Sequence, residues 1–120
     1  MKKIHVGCAQ FRAEPGEKRT NIEAMRRLTA VAAGRGCDLL LFPEMALTGY
    51  LPPAEMPELA EPLTGPHVAD VAAIAAQNQL AVAFGFPEIE PDTGARRNTF
   101  AVFGGDGALI AAYHKMHLWD

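Results

Sequence analysis

The stretch Gly36-Cys37-Asp38-Leu39-Leu40-Leu41-Phe42-Pro43-Glu44 governs the reading of everything around it. Asp38 to Phe42 is a short apolar run ended by a proline, which reads as a buried strand. Upstream, Ile22, Met25, Leu28 and Ala32 recur at three- and four-residue steps. They line one face of a helix over Thr20 to Arg35, with its start near Glu17 or Thr20 and Gly34 and Gly36 as its stop. Ahead of that helix, Ile4 to Phe11 (IHVGCAQF) is a second apolar run, closed by a polar stretch and a Pro15-Gly16 turn. Strand, crossover helix and strand make a βαβ unit, which favours a parallel pair and a right-handed crossover.

Downstream, Met45 to Pro66 is irregular and holds Pro52, Pro53, Pro57, Pro62 and Pro66 together with Glu55, Glu58 and Glu61. A loop of that length in a compact domain is functional or mobile. His67 to Gln79 reads as a second helix with Val68, Val71, Ala72 and Ala75 on its apolar stripe. Leu80 to Phe86 is a third strand, and Pro91-Asp92-Thr93-Gly94 is turn chemistry. Asn98 to Phe103 is a fourth strand, and Gly104-Gly105-Asp106-Gly107 closes a hairpin into a fifth, Ala108 to Tyr113. The order β-α-β-α-β-β-β predicts an α/β fold with a mixed sheet and no internal repeat or interdomain linker. Two helices cover one face of strands that are apolar on both, and such sheets are normally covered twice. The expectation is the first part of a longer fold, or one that associates through its exposed sheet face.

Composition narrows the class. A chain of 120 residues is one domain or a piece of one. Its 49% apolar and 21% charged residues exclude disordered and collagen-like chains. The net charge of −3 argues against nucleic acid as a partner. No apolar run approaches the roughly 18 residues of a membrane span. The stretch after Lys2 and Lys3 is short, is broken by His5 and lacks a cleavage site, so no secretory signal is expected. Cys8 and Cys37 form neither a disulfide framework nor a metal cluster, which points to a reduced, cytoplasmic setting. Both read as small buried hydrophobes.

Glu44 follows the central strand, at the end where open α/β sheets place their sites. In an apolar mouth its charged form would be disfavoured, as suits a general base; alternatively it is an exposed loop glutamate. Lys115 follows the fifth strand and either enters the same mouth to steady an oxyanion or ends a hairpin in solvent. Glu88, in Phe86-Pro87-Glu88, repeats the local pattern of Phe42-Pro43-Glu44 and either lines the cleft or starts the turn. His114 and His117 point to opposite faces of a strand end and no third ligand stands out, so no metal is expected. The glycines at 104, 105 and 107 precede no helix and hold no phosphate, and no cofactor is implied.

The nonapeptide Phe42-Pro43-Glu44-Met45-Ala46-Leu47-Thr48-Gly49-Tyr50 resembles the glutamate motif of the carbon-nitrogen hydrolase (nitrilase/amidase) superfamily. Val6 to Gln10, Asn21, Gly36 to Leu41, Gly85 to Glu88, Asn98, Asp106-Gly107 and Tyr113-His114-Lys115-Met116-His117-Leu118 follow the family's order up to its lysine. The resemblance implies the N-terminal half of an α-β-β-α sandwich, with residues 1–120 forming a partial domain. It implies a Glu-Lys-Cys set that hydrolyses non-peptide C–N bonds of small amides, carbamoyl compounds or nitriles. Glu44 would be its base and Lys115 its oxyanion-stabilising lysine; Tyr50, in the loop after the glutamate, and Glu88, on the cleft-lining alternative above, are the candidate substrate-binding residues. The family's cysteine lies after the lysine and matches neither Cys8 nor Cys37, so the chain alone is expected to be inactive. The competing reading is a truncated, non-catalytic relative acting as a scaffold. A flavodoxin-like ligand-binding domain would need a wholly parallel sheet, against the Gly104 to Gly107 hairpin. The hydrolase reading requires Glu44 and Lys115 to meet at the mouth of the sheet.

Overall fold

Leu39, Leu40 and Leu41 form β2, paired in parallel with β1 (Val6–Cys8) on one side and β3 (Ala81–Ile89) on the other. The computed structural model describes residues 2–117. Leu118, the last residue of the lysine motif, lies outside the described residues. Two helices, α1 (Lys18–Gly34) and α2 (Pro66–Asn78), connect these strands. β4 (Arg96–Phe103) and β5 (Leu109–His114) continue the sheet antiparallel, giving the spatial order β1-β2-β3-β4-β5. The mixed sheet with two helices is the α/β arrangement expected. No helix among the described residues is long and apolar enough to cross a membrane.

Strand lengths differ from the sequence reading for a physical reason. β1 keeps only three residues because its partner β2 stops before Pro43, which has no N–H to donate. β3 runs through Pro87 to Ile89. The Pro87 carbonyl accepts from Glu61 N at 3.1 Å, on the side away from β4, so the missing N–H falls there and spares the β3–β4 ladder. The segment 45–66 is not a free loop. Ala46, Leu47 and Thr48 are fully buried, Met56–Leu59 is a 3-10 turn, and Glu61 pairs with the β3 backbone.

The core fills one side of the sheet. Leu40, Val82, Phe84, Phe86, Ala101 and Phe103 point towards Ile22 and Met25 of α1 and Val68, Val71 and Ile74 of α2. Alternate residues point the other way, where Val6 and Tyr113 are exposed and Leu39, Leu41, Phe100 and Val102 are half-buried. Cys8 belongs to this second face and is exposed, contrary to its reading as a buried hydrophobe, because no helix covers that side of β1. Cys37 is half-buried, with its thiol 3.2 Å from the Leu39 carbonyl oxygen.

The start of α2 is held from a distance. Gly65 at its N-cap has no side chain to offer, and a Cβ there would fall 2.9 Å from Glu61 Cγ. Glu61 supplies the cap instead. Its Oε1 accepts from the backbone N–H groups of His67 at 2.9 Å and Val68 at 3.0 Å. A carboxylate at this end also meets the positive pole of the helix. Its Oε2 accepts from Lys18 Nζ at 2.6 Å and lies 2.9 Å from His67 Nδ1. Burial alone would raise the Glu61 carboxyl pKa, but Lys18, the Val68 N–H and His67 together hold it below its ordinary 4.5.

Replacing Glu61 by Ala strands Lys18 and two helix N–H groups. It is expected to cost about 3–5 kcal/mol of unfolding free energy, measured by urea denaturation at neutral pH. Because the folded pKa is depressed, the contribution is complete above about 4.5 and disappears as pH falls through the lower folded value. A Glu61→Gln variant should accordingly lose less stability than the parent over that acid range.

Candidate active site

Beyond β2 the chain keeps its hold on β3. Phe42 N donates to Ala83 O at 2.8 Å, Gly85 N to Pro43 O at 3.2 Å, and Leu47 N to Gly85 O at 3.3 Å. The backbone of Glu44 and Met45 therefore lies directly on Gly85, where a Cβ would come within 2.6 Å of Met45 N and 2.8 Å of Glu44 Cα. Glycine is required at 85 by close approach. Met45 takes a positive φ of 53°, and Gly49 N closes the turn on Met45 O at 2.7 Å. Asn21 of α1 fastens the turn from behind. Its Nδ2 donates to the carbonyls of Leu47 and Glu14, each at 3.0 Å, and its Oδ1 accepts from Glu14 N at 2.7 Å.

The turn presents Glu44 to the ends of β4 and β5. Glu44 Oε1 accepts from Lys115 Nζ at 2.9 Å and from Asn98 Nδ2 at 2.8 Å. Its Oε2 accepts from the Tyr50 hydroxyl. Lys115 sits opposite Asn98, whose carbonyl takes the Lys115 backbone N–H at 2.9 Å. The structure thus brings together Glu44, Lys115 and Tyr50 from the sequence reading and adds Asn98, to which that reading gave no role.

Glu88 does not join them. Pro87 pairs with Asn98, so the next residue along β3 points to the opposite, helix-covered face. There Glu88 Oε1 accepts from Thr99 Oγ1 at 2.7 Å and lies 3.2 Å from His114 Nε2. The local likeness of Phe-Pro-Glu at 42–44 and 86–88 misled because position 44 follows the end of a strand and position 88 lies inside one.

The charge state also departs from expectation. An apolar mouth would disfavour the Glu44 carboxylate, yet the donors from Tyr50, Lys115 and Asn98 outweigh burial and hold its pKa below the ordinary 4.5. The Tyr50 phenol is pushed up to about 12, by burial and by donating to Glu44. At neutral pH the site is therefore a carboxylate against an ammonium, with an amide and a phenol as neutral donors. The carboxylate can take a proton, and Lys115 and Asn98 can donate to a developing negative charge. A groove of about 740 Å³ opens beside them, walled by Leu51, Met56, Pro57 and Pro87.

Residues 5–120 match the family model described as carbon-nitrogen hydrolase. An (R)-stereoselective amidase from a Pseudomonas species is 32% identical over 97% of this chain and 41% of its own length. Omega-amidase NIT2 of Xenopus tropicalis is 31% identical over 100% of this chain and 42% of its own length. The fold superposes on an amidase from Nesterenkonia sp. with a TM-score of 0.82 at 24% identity, over 98% of this chain and 44% of that one. The chain thus spans less than half the length of the relatives it matches.

Two substitutions probe how Glu44 is held. Gly85→Ala places a methyl group against the Glu44 backbone and should destabilise the protein by about 1–3 kcal/mol in urea titrations. Tyr50→Phe removes the hydrogen bond that most favours the Glu44 carboxylate. Carboxyl NMR titration should show a higher Glu44 pKa in that variant, and a smaller rise in Asn98→Ala. Glu44 keeps 36% of its side-chain surface exposed, so neither Tyr50→Phe nor Asn98→Ala is expected to move stability appreciably.

Proposed function

The chain belongs to the carbon-nitrogen hydrolase family, and on that premise we propose that Glu44, Lys115 and Asn98 serve the hydrolysis of a small-molecule amide. The observation that carries this reading is the contact of Lys115 Nζ with Glu44 Oε1 at 2.9 Å across 71 residues of sequence. In the proposed reaction Glu44 takes the proton of a cysteine thiol, and the thiolate adds to the amide carbonyl carbon. Lys115 and Asn98 donate to the oxyanion. Glu44 returns the proton to the leaving nitrogen, ammonia or an amine departs, and a thioester remains. Water then loses a proton to Glu44 and adds to the thioester, releasing the acid and restoring the thiol. As Lys115 turns towards the oxyanion its hold on Glu44 weakens, so the carboxylate gains basicity when the proton has to move.

Neither cysteine of the chain is placed for attack. Cys37 lines a groove beside α1, and Cys8 lies on the edge strand β1; neither lines the groove that Glu44 opens on. The nucleophile is accordingly assigned to a part of the protein beyond these 120 residues, which form the N-terminal part of the catalytic domain and are inactive alone. The apolar face carrying Val6, Leu39, Leu41 and Phe100 would be covered in the working enzyme by the rest of the domain or a second copy. A cytoplasmic setting fits a reduced thiol. The same bare face also favours a second reading, a non-catalytic relative that binds a partner there.

The test uses the full-length protein against a panel of small amides, carbamoyl amino acids and nitriles. Lys115→Ala and Glu44→Gln should each lower kcat about a hundredfold or more. Wild-type turnover in both variants would remove the catalytic reading. A folded full-length protein that cleaves nothing and associates through the bare face would favour the scaffold.

A further inference from the structure

We propose that Glu88, although it points away from Glu44, is a positioning residue for the site: its buried carboxylate ties β4 to β5 behind the sheet and so sets where Asn98 and Lys115 stand. The consequence for turnover rests on the hydrolase reading above. Glu88 Oε1 accepts from Thr99 Oγ1 at 2.7 Å and lies 3.2 Å from His114 Nε2. Thr99 is the cross-strand partner of His114, so a single oxygen joins three neighbouring strands. The residue before Thr99 is Asn98, and the residue after His114 is Lys115. Both of those donate to Glu44 Oε1 on the other face. Glu88 is itself a fixed reference, because the residues on either side of it are bonded to Glu61. Glu61 N donates to Pro87 O and Ile89 N to Glu61 O, each at 3.1 Å.

The end of β5 needs such a tie. Among the described residues β5 is the edge strand of the sheet, and Leu109 to Tyr113 are all exposed, so apolar packing holds it weakly. After His114 the chain is bonded to β4 through Lys115 N, which donates to Asn98 O at 2.9 Å. Glu88 is 6% exposed and Thr99 is fully buried. An apolar side chain would fill the same space without the cost of burying a carboxylate, so stability alone does not account for an acid here. What the carboxylate adds is direction. It holds its donors to the length and angle of a hydrogen bond, which a packed methyl group does not. A displacement of about 1 Å at Thr99 or His114 passes through the backbone to Asn98 or Lys115, and groups that meet a developing charge are sensitive on that scale.

The full-length protein and its Glu88→Leu and Glu88→Gln variants are assayed on whichever compound of the panel the parent cleaves fastest. Glu88→Leu removes the acceptor and should lower kcat about tenfold, with KM within about twofold of the parent. Glu88→Gln keeps an oxygen for both donors and should restore most of that loss. Carboxyl NMR of Glu44 separates positioning from a general weakening of the fold. His114→Ala, at a half-exposed site, should raise the Glu44 pKa by loosening the Lys115 contact that lowers it. The same substitution made on top of Lys115→Ala should move that pKa no further, because a residue that acts through Lys115 has nothing left to position. An equal shift in both backgrounds marks a through-space effect of the imidazole and overturns the assignment. So does the absence of a shift in either, a parental kcat in Glu88→Leu, or a Glu88→Gln variant as slow as Glu88→Leu. If Glu88→Leu fails to fold, the His114 titrations decide. If the parent cleaves nothing on the panel, the hydrolase reading fails separately and the same titrations still decide for the tie between Glu88 and His114.

Discussion

Pro87 faces Asn98 across β3 and β4, and Thr99 faces His114 across β4 and β5. That register decides which charges can meet. It sends Asn98 and Lys115 to the face where the Glu44 turn lies, and Glu88, Thr99 and His114 to the face beneath the helices. A slip of one residue would exchange the two sets and leave Glu44 without its ammonium. The ladder is long enough to resist slipping, because Phe84, Phe86, Ala101 and Phe103 fix its inner face in the core.

Three glutamates show how surroundings set the use of one functional group. Glu61 is buried and spends its oxygens on a helix terminus, a lysine and a histidine, which makes it structural. Glu88 is buried and occupied by Thr99 and His114. Glu44 is partly open to solvent, and its partners are side chains that a substrate oxygen could recruit. The same kind of contact therefore stabilises the fold at Glu61 and leaves chemistry available at Glu44.

Much of this could be read from the residues alone. The apolar runs around Leu39 to Leu41 and Leu80 to Phe86, with the glycine hairpin after Phe103, located the sheet. The periodicity around Ile22 and Val68 located both helices. The position of Glu44 after a central strand and the motif around Lys115 pointed to two residues that the structure brings into contact. The rest depended on pairing register, which no local pattern encodes. Asn98 carried no signal beyond its place in the family order, and the apolar run before Glu44 suggested a disfavoured carboxylate because its donors come from elsewhere: Tyr50, Asn98 of β4 and Lys115 after β5. Glu61 was one of three loop acids. The clue to its role was a helix start at Gly65-Pro66 with no capping side chain of its own.

The first turn of α1 touches both engaged carboxylate regions. Lys18 reaches Glu61, and Asn21, three residues on, is hydrogen-bonded to the Glu44 segment through Leu47 O. Fraying that single turn would release the cap of α2 and the rear anchor of the acid-bearing turn in one event. The Glu44 turn and the start of α2 are thereby coupled through one turn of α1, so an opening there reaches both.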